Sequence, residues 1–550
     1  MSRGRPVTAL PIRLVIGLLA ACLVFTGTAL ATSASERGSS AAQEAGPPNG
    51  QGGELTFAAN FEPDSLDPHV AANSSSFIVL QNVVDTLVLL SPDDLEYHPY
   101  LADSWEISDD GTVYTFRLRD GVTFHDGTPF NAEAVKFNLD RIVDPDTKSS
   151  LALTNLGPYD SSRVIDDLTV EITMKTPYPP LLDALSQTAL GMLSPTAVEA
   201  QGAAIGQDPV GTGFMKFQSW TPQDRIELVR NDDYNWAPDI WGHTGPAYLE
   251  KYTLIVADEP AARVTALESG DVLGIEDTPG QDVARLEADE RFELVKAELP
   301  GHPRSFFMNT ERAPLDDINV RKALLYGLNR PEIVQLATFG TQPPATGPFS
   351  PATWSYSEAA GEIYPYDPEK AGQLLDEAGW VMGPDGIRVK DGQPLALRTI
   401  GFEVFRALYE AAQSNARQIG VDLQLEIIAP AAATEANHRG DHHLAMTGVV
   451  ASDPSNISLF YHSRNMDGFN WPRYATPEFD KMWDDAAAEL DRDTRLGMYA
   501  DIQDFIMEQA LTIPTQVIVR NNFWSTRVKG HRPDARGIYI WLYDAYVEPE

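Results

Sequence analysis

A single cysteine, Cys22, occurs in 550 residues. One thiol makes no internal disulfide, no cysteine-rich zinc site and no iron–sulfur cluster. Basic residues are scarce as well, with 41 Lys+Arg against 79 Asp+Glu and a formal charge of −38. Such a chain repels phosphate backbones, which excludes nucleic acid as an expected partner. Apart from one run near the start, long apolar stretches are missing. There is no G-x-x-x-x-G-K-[ST] phosphate loop, no G-x-S-x-G nucleophile elbow and no H-E-x-x-H zinc helix. Gly211-Thr212-Gly213 lacks the third glycine of a dinucleotide loop.

What remains is a globular composition, 43% hydrophobic and 22% charged. The length suits about three to four structural units. Arg3, Arg5 and Arg13 precede an uncharged stretch from Leu14 to Ala31, the pattern of a secretory signal peptide. Two processing points compete. Leu19-Ala20-Ala21-Cys22 matches a bacterial lipobox, which would make Cys22 a lipid anchor. Ala29-Leu30-Ala31 matches an ordinary small-x-small cleavage site, with Thr32 as the new N-terminus. Residues 32–52 then read as a flexible linker rich in Ser, Ala, Gly and Pro. Either cleavage removes three arginines and no acid, leaving 38 basic against 79 acidic residues, a formal charge of −41.

Strands and helices alternate irregularly through the rest, the pattern of a mixed α/β fold with several sheets. Glu54 to Phe57 reads as the first strand, and Phe77, Leu80, Val84 and Leu87 predict a helix over 76–87. A hairpin is expected around Asp109-Asp110-Gly111, with Tyr114, Phe116 and Leu118 on one face. Asn131 caps a helix bearing Val135, Leu139 and Ile142. Thr476 and Pro477 start another, with Phe479, Met482, Trp483, Ala486 and Leu490 as its stripe. The last helix begins near Asp493 and carries Leu496, Tyr499, Ile502 and Ile506.

Catalytic constellations do not stand out. His438, His442 and His443 with Asp441 make the best metal candidate, since imidazoles with a carboxylate ligate nickel or zinc. Adjacent histidines on a strand point to opposite faces, so this loop is read as no metal site and no cofactor is expected.

The stretch LADSWEISDDGTVYTFRLRDGVTFHDGTPFNAEAVKFNLDRI, Leu101 to Ile142, closely resembles the signature of bacterial extracellular solute-binding proteins of family 5. These are the peptide- and nickel-binding receptors of ABC importers. SLDPH at Ser65 to His69, VGTGFMKF at Val210 to Phe217 and FFMNTERAPLDDINVRKAL at Phe306 to Leu324 resemble further blocks in order. The resemblance spans nearly the whole mature chain. It implies a two-lobed periplasmic-binding-protein fold, type II, of the large cluster with an extra N-terminal subdomain at about residues 85–205. Residues 53–300 would form lobe I, 301–516 lobe II, and 517–550 a return to lobe I. It also implies a monomer outside the cytoplasmic membrane, either in the periplasm or lipid-anchored through Cys22. Such a receptor captures a small-molecule or oligopeptide ligand in the interlobe cleft, hands it to an ABC permease and catalyses nothing.

By the same resemblance, Ala72, Asn73, Ser74 and Ser75 line the cleft, although they also read as a helix cap before Phe77. The strand leading into Asp453-Pro454, with Met446, Thr447, Gly448 and Val450, is the second wall, and Gln516 lies near the far crossing. Peptide binders of the family often carry an acid where this chain has Val450, and it pairs with the ligand's α-ammonium. A buried ammonium without a counter-charge is strongly penalised. Either another acid supplies the charge, Asp453 being nearest although it reads rather as shaping the turn with Pro454, or the ligand has no free α-amine. An oligosaccharide or a nickel chelate in the same fold is the alternative, and a secreted hydrolase is the alternative in a different class. From Val450, free dipeptides should bind weakly or not at all; tight dipeptide binding in calorimetry, lost on N-acetylation, would contradict this.

Overall fold

The computed structural model describes Pro47 and residues 52–549; the export segment, both processing points and Cys22 lie outside them. Two large sheets organise the chain. The first has seven strands, ordered Phe292–Glu298, Val519–Ser525, Gly274–Ile275, Glu54–Ala59, Lys251–Val256, Arg225–Arg230 and Met215–Thr221. Glu54–Ala59 runs parallel to both its neighbours. The second has five strands, ordered Asp422–Ile427, Ala396–Gly401, Leu444–Val450, Gly301–Met308 and Thr512–Gln516. A smaller antiparallel sheet contains Ala102–Ile107, Val113–Leu118, Thr169–Met174 and Tyr159–Asp166.

Each large sheet has its own apolar core. Leu55, Phe57, Leu80, Leu228, Leu254 and Trp524 belong to one cluster, and Phe306, Leu324, Leu397, Leu444 and Ile513 to another. Two separate cores joined by a few strands make two lobes that can turn against each other. The chain passes between the sheets after Glu298 and again after Gln516. The two passages run side by side: Glu298 pairs with Val519, and the Leu299 N–H donates to the Ile518 carbonyl at 2.9 Å. Gln342 holds the second passage. Its Oε1 accepts from the Val519 N–H at 3.0 Å and from Gln516 Nε2 at 2.9 Å.

Local sequence accounts for several elements. Gly111 takes φ 67°, the left-handed conformation that the hairpin turn requires. Tyr114, Phe116 and Leu118 are buried as their alternation predicts. Asn131 accepts from the Ala134 N–H and Thr476 from the Phe479 N–H, each capping its helix.

Three expectations need correcting. The first helix runs Ser74–Val83, not to 87, because the Val83 carbonyl leaves the helical ladder and accepts from the Gly213 N–H at 2.9 Å. This contact also explains the two glycines around Thr212: a Cβ on Gly211 would lie 2.1 Å from the Val83 oxygen. The motif is a close-packing device, not a phosphate loop. Leu490 and Leu496 are exposed rather than part of the core stripe. In the helix Arg492–Glu508, Arg495 takes the buried position instead and pairs with Asp453.

Four buried histidines are held neutral. Burial lowers His69, His125, His302 and His442 to about 4. Each takes up a proton more readily unfolded than folded, so its stability is full above pH 6.5 and falls as pH drops toward 4. Buried Asp85, raised to about 6, and buried Glu276 and Asp534, also pushed up by burial, work the other way, since their folded forms keep protons that the unfolded chain releases. At about 2 kcal/mol per histidine by pH 5, the four histidines outweigh these three acids. The melting temperature should therefore fall by several degrees between pH 7 and pH 5; a flat or rising profile in calorimetry would contradict neutral burial.

Candidate functional site

Parallel strands open a crevice at their carboxyl ends, where ligands of α/β sheets bind. In the seven-stranded sheet these ends are Ala59, followed by Asn60, and Ile275, followed by Glu276 and Asp277. Arg520, at the start of the returning strand, pairs with Glu276 at 3.0 Å and also with Asp277. Asn60 Nδ2 donates to Asp277 Oδ2 at 2.9 Å, and the Asp277 N–H donates to Asn522 Oδ1 at 3.1 Å. Burial pushes the Glu276 carboxyl up while Arg520 pulls it down.

The five-stranded sheet presents a different surface. Phe402 and Phe405 follow the carboxyl end of Ala396–Gly401 and pack edge to face at 6.0 Å. Arg304 sits at an irregularity in Gly301–Met308, opposite Gln516, with its guanidinium carbon 4.9 Å from the Phe405 ring centre. Burial lowers the Arg304 pKa, Asp277 opposes that, and Arg520 adds to it. Charges from the two lobes thus act on one another across the cleft.

At one rim the lobes touch. A cavity of about 180 Å³ is lined by Tyr97 and Asp183 from one side and by Trp354, Ser452 and Arg492 from the other. Ser452 Oγ donates to Asp183 Oδ2 at 2.7 Å and accepts from Arg536 Nε at 3.0 Å. Arg492 meets Glu96 at 2.6 Å, and Leu490 packs on Gly111 of the hairpin turn.

The residues expected from sequence are distributed unevenly. Asn73 caps the helix by accepting from the Ser76 N–H at 2.9 Å. The Ala72 N–H and the Ser76 hydroxyl both bond Asp64. Ser74 is half-buried, and the hydroxyl of buried Ser75 has no partner. The segment is therefore a cap, and the helix behind it lines a second cavity of about 90 Å³ through Phe77 and Gln81. Met446 departs from expectation: its side chain is fully buried in the lobe core with Phe306 and Leu444. Thr447, Gly448 and Val450 are half-buried, and Val450 pairs with Gly301 beside the crossing. Asp453 is not free for a ligand amine, because Arg495 binds it at 2.8 Å and it caps the next turn through the Ser455 N–H. Gln516 is 3% exposed, and its Oε1 has no partner.

The histidines are individually committed. His442 donates from Nε2 to the Trp471 carbonyl at 2.9 Å. His443 donates to the Ala313 carbonyl and accepts the Arg398 N–H on Nδ1. Among the described residues no group of three or more His, Cys, Asp or Glu is placed to hold a metal ion.

Sequence reasoning missed Asn60, Glu276, Asp277, Arg304, Phe405 and Arg520. One signal was there to find: Arg304 interrupts an otherwise uncharged strand, Gly301–Met308.

A family model described as bacterial extracellular solute-binding proteins, family 5 Middle, matches residues 96–471. The chain is 32% identical over 471 residues to the glutathione-binding protein GsiB of Pectobacterium atrosepticum, covering 83% of this chain and 88% of that one. The solved structure of the periplasmic binding protein DppA from Helicobacter pylori, in complex with the peptide STSA, is 25% identical. It superposes with a TM-score of 0.75 over 91% of this chain and 99% of that one. NikA from Brucella suis, in complex with Fe(III)-EDTA, is 25% identical and gives 0.79 over 90% and 100%. The two lobes, the crevice between their sheets and these matches together place the chain in the family 5 bacterial extracellular solute-binding proteins.

Proposed function

We propose that this protein binds a peptide-like solute between its two lobes and releases it unchanged to the permease of an ABC importer. Its role as a substrate receptor follows from the family. The nature of the solute is argued from the cleft, with support from relatives whose names specify glutathione and peptide. The observation that carries the reading is that two chemically distinct groups, one from each lobe, lie near enough for Asp277 and Arg520 to act on the charge of Arg304. One is a carboxylate-rich group built on Asn60, Glu276 and Asp277, and the other is an arginine on an aromatic ring. A solute with both polar ends and an apolar middle fits between them. The lobes in this reading are residues 53–300 with 517–550, including a subdomain at about 85–205, and residues 301–516. Cleft residues of the second lobe also include Thr447, Gly448 and Val450.

Ligand that touches both walls stabilises the closed form by its differential affinity for closed over open. The rim contacts contribute to the same equilibrium. Delivery outside the membrane is part of this reading, with Cys22 or Thr32 as the mature N-terminus. The two products differ by the segment Cys22–Ala31 and a diacylglyceryl group, which mass spectrometry of the mature chain distinguishes.

Ser452 is the sharpest probe of closure. Its hydroxyl bonds two charged groups across the rim, and each hydrogen bond of that kind contributes about 1.5–3 kcal/mol. Ser452→Ala should weaken glutathione binding by about tenfold with little change in melting temperature. Tryptophan fluorescence should report the shift, since Trp354 lines the rim cavity. Glutathione recovered chemically altered after incubation would instead reveal an enzyme.

A further inference from the structure

Among the described residues, the buried arginines are engaged by their own chain. Arg263 donates to the carbonyls of Ala257 and Glu276, and Arg321 to those of Leu315 and Ala510. Arg330 donates to the Tyr364 and Thr346 carbonyls, while Arg495 and Arg536 bind Asp453 and Asp183. This is the expected pattern, since a guanidinium taken from water costs several kcal/mol unless its donors are satisfied.

Arg304 differs from these: it is half-buried on the second lobe. Among the described residues its side chain makes no hydrogen bond and no ion pair, and its guanidinium carbon lies over the Phe405 ring. A cation over an aromatic face is held electrostatically without using its N–H donors, which stay available to a partner. Its register partner, Gln516, also carries an unsatisfied buried oxygen, Oε1. Asn60 Oδ1, beside Glu276 and Asp277 in the other lobe, is a second unsatisfied buried oxygen. Five unused donors on one wall and unused acceptors beside and across from them describe a ligand with an anionic acceptor group and N–H donors.

We propose that Arg304 is the anchor for a ligand carboxylate, so that the solute is a carboxylate-bearing, peptide-like molecule held by a two-pronged guanidinium contact above Phe405. This rests on the reading of the cleft as a site for a peptide-like solute and adds which group of the solute is recognised and by which residue. The planar fork of arginine matches the two oxygens of a carboxylate, whereas an ester keeps the shape but loses the charge and much of the acceptor strength. Arg304 has remained unpaired within its own chain because its partner arrives with the ligand.

Calorimetric titration of the wild type and of Arg304→Gln with glutathione and with glutathione diethyl ester tests this. The wild type should bind the ester about tenfold to a hundredfold more weakly than the acid. Arg304→Gln should bind the acid with a similar loss, and should no longer distinguish acid from ester. Its melting temperature without ligand should match that of the wild type, since the half-exposed guanidinium makes no hydrogen bond or ion pair within the chain. Equal wild-type affinity for acid and ester, or wild-type affinity for the acid in Arg304→Gln, would overturn the anchor and leave the receptor reading standing. A markedly lower melting temperature in Arg304→Gln would assign the residue a structural role and overturn the anchor as well. Failure of the wild type to bind either compound would overturn the peptide-like reading of the cleft, and the anchor with it.

Discussion

The Leu299–Ile518 hydrogen bond joins the two places where the chain passes from one core to the other. Everything functional depends on that pairing. Because Glu298 also pairs with Val519, the passages behave as a two-stranded ribbon and not as independent tethers. A ribbon bends more readily than it stretches or slides, so the permitted motion is a rotation that opens and closes the crevice between the sheets. Gln342 reinforces the second passage by accepting from both Gln516 and Val519. The cleft is then defined by construction: the carboxyl ends of the parallel strands in both sheets lie beside the hinge, where a small rotation brings their side chains together.

The buried charges sort along the same division. Asp183 with Arg536, and Asp453 with Arg495, are ion pairs within a lobe, placed just behind the rim. They orient the groups that meet across it, and Ser452 is the residue that reaches over. Asp453 shapes the turn with Pro454, as its sequence context predicts. It stands nearest to the place where peptide binders of the family carry their acid, yet its carboxylate is already used to hold a helix and cap a turn. In the opposite lobe Glu276 and Asp277 share the single Arg520, which leaves that group with an excess of acid.

Much of the architecture was readable from local pattern. The hairpin at Gly111, the caps at Asn131 and Thr476 and the alternation of Tyr114, Phe116 and Leu118 are decided within a few residues, so sequence suffices. The first helix was read too long because its end is decided by Gly213, far away in the chain. The apolar positions Leu490 and Leu496 were misplaced for a related reason: Arg495 enters the core when a carboxylate waits there, which hydrophobic spacing does not register. The site was read less well. Family resemblance led to the strand carrying Met446, Thr447, Gly448 and Val450, but Met446 turns inward to the core. Arg304 lies one strand over, and what marks it is the lack of a partner. That is a property of the folded surroundings and has no counterpart in the string of residues.

The rim and the anchor divide the work of closing unequally. Arg492–Glu96 is a solvent-exposed pair, with side chains 51% and 60% exposed, and such pairs contribute about 0–1 kcal/mol. Ser452 adds a hydrogen bond to charged groups, in the range of about 1.5–3 kcal/mol. Against these stands the cost of bringing Arg304 into a closed cleft with its donors unsatisfied, which is several kcal/mol for a desolvated ion. The rim alone therefore leaves the open and closed forms near balance. A ligand that satisfies Arg304 removes the opposing cost as well as adding its own contacts, so its effect on closure exceeds what the contacts alone would provide. A solute that fills the cleft without an acceptor for the guanidinium gains the contacts but leaves the cost in place. Selectivity would then arise from which solutes permit closure, with the permease reading the outcome as a change of shape.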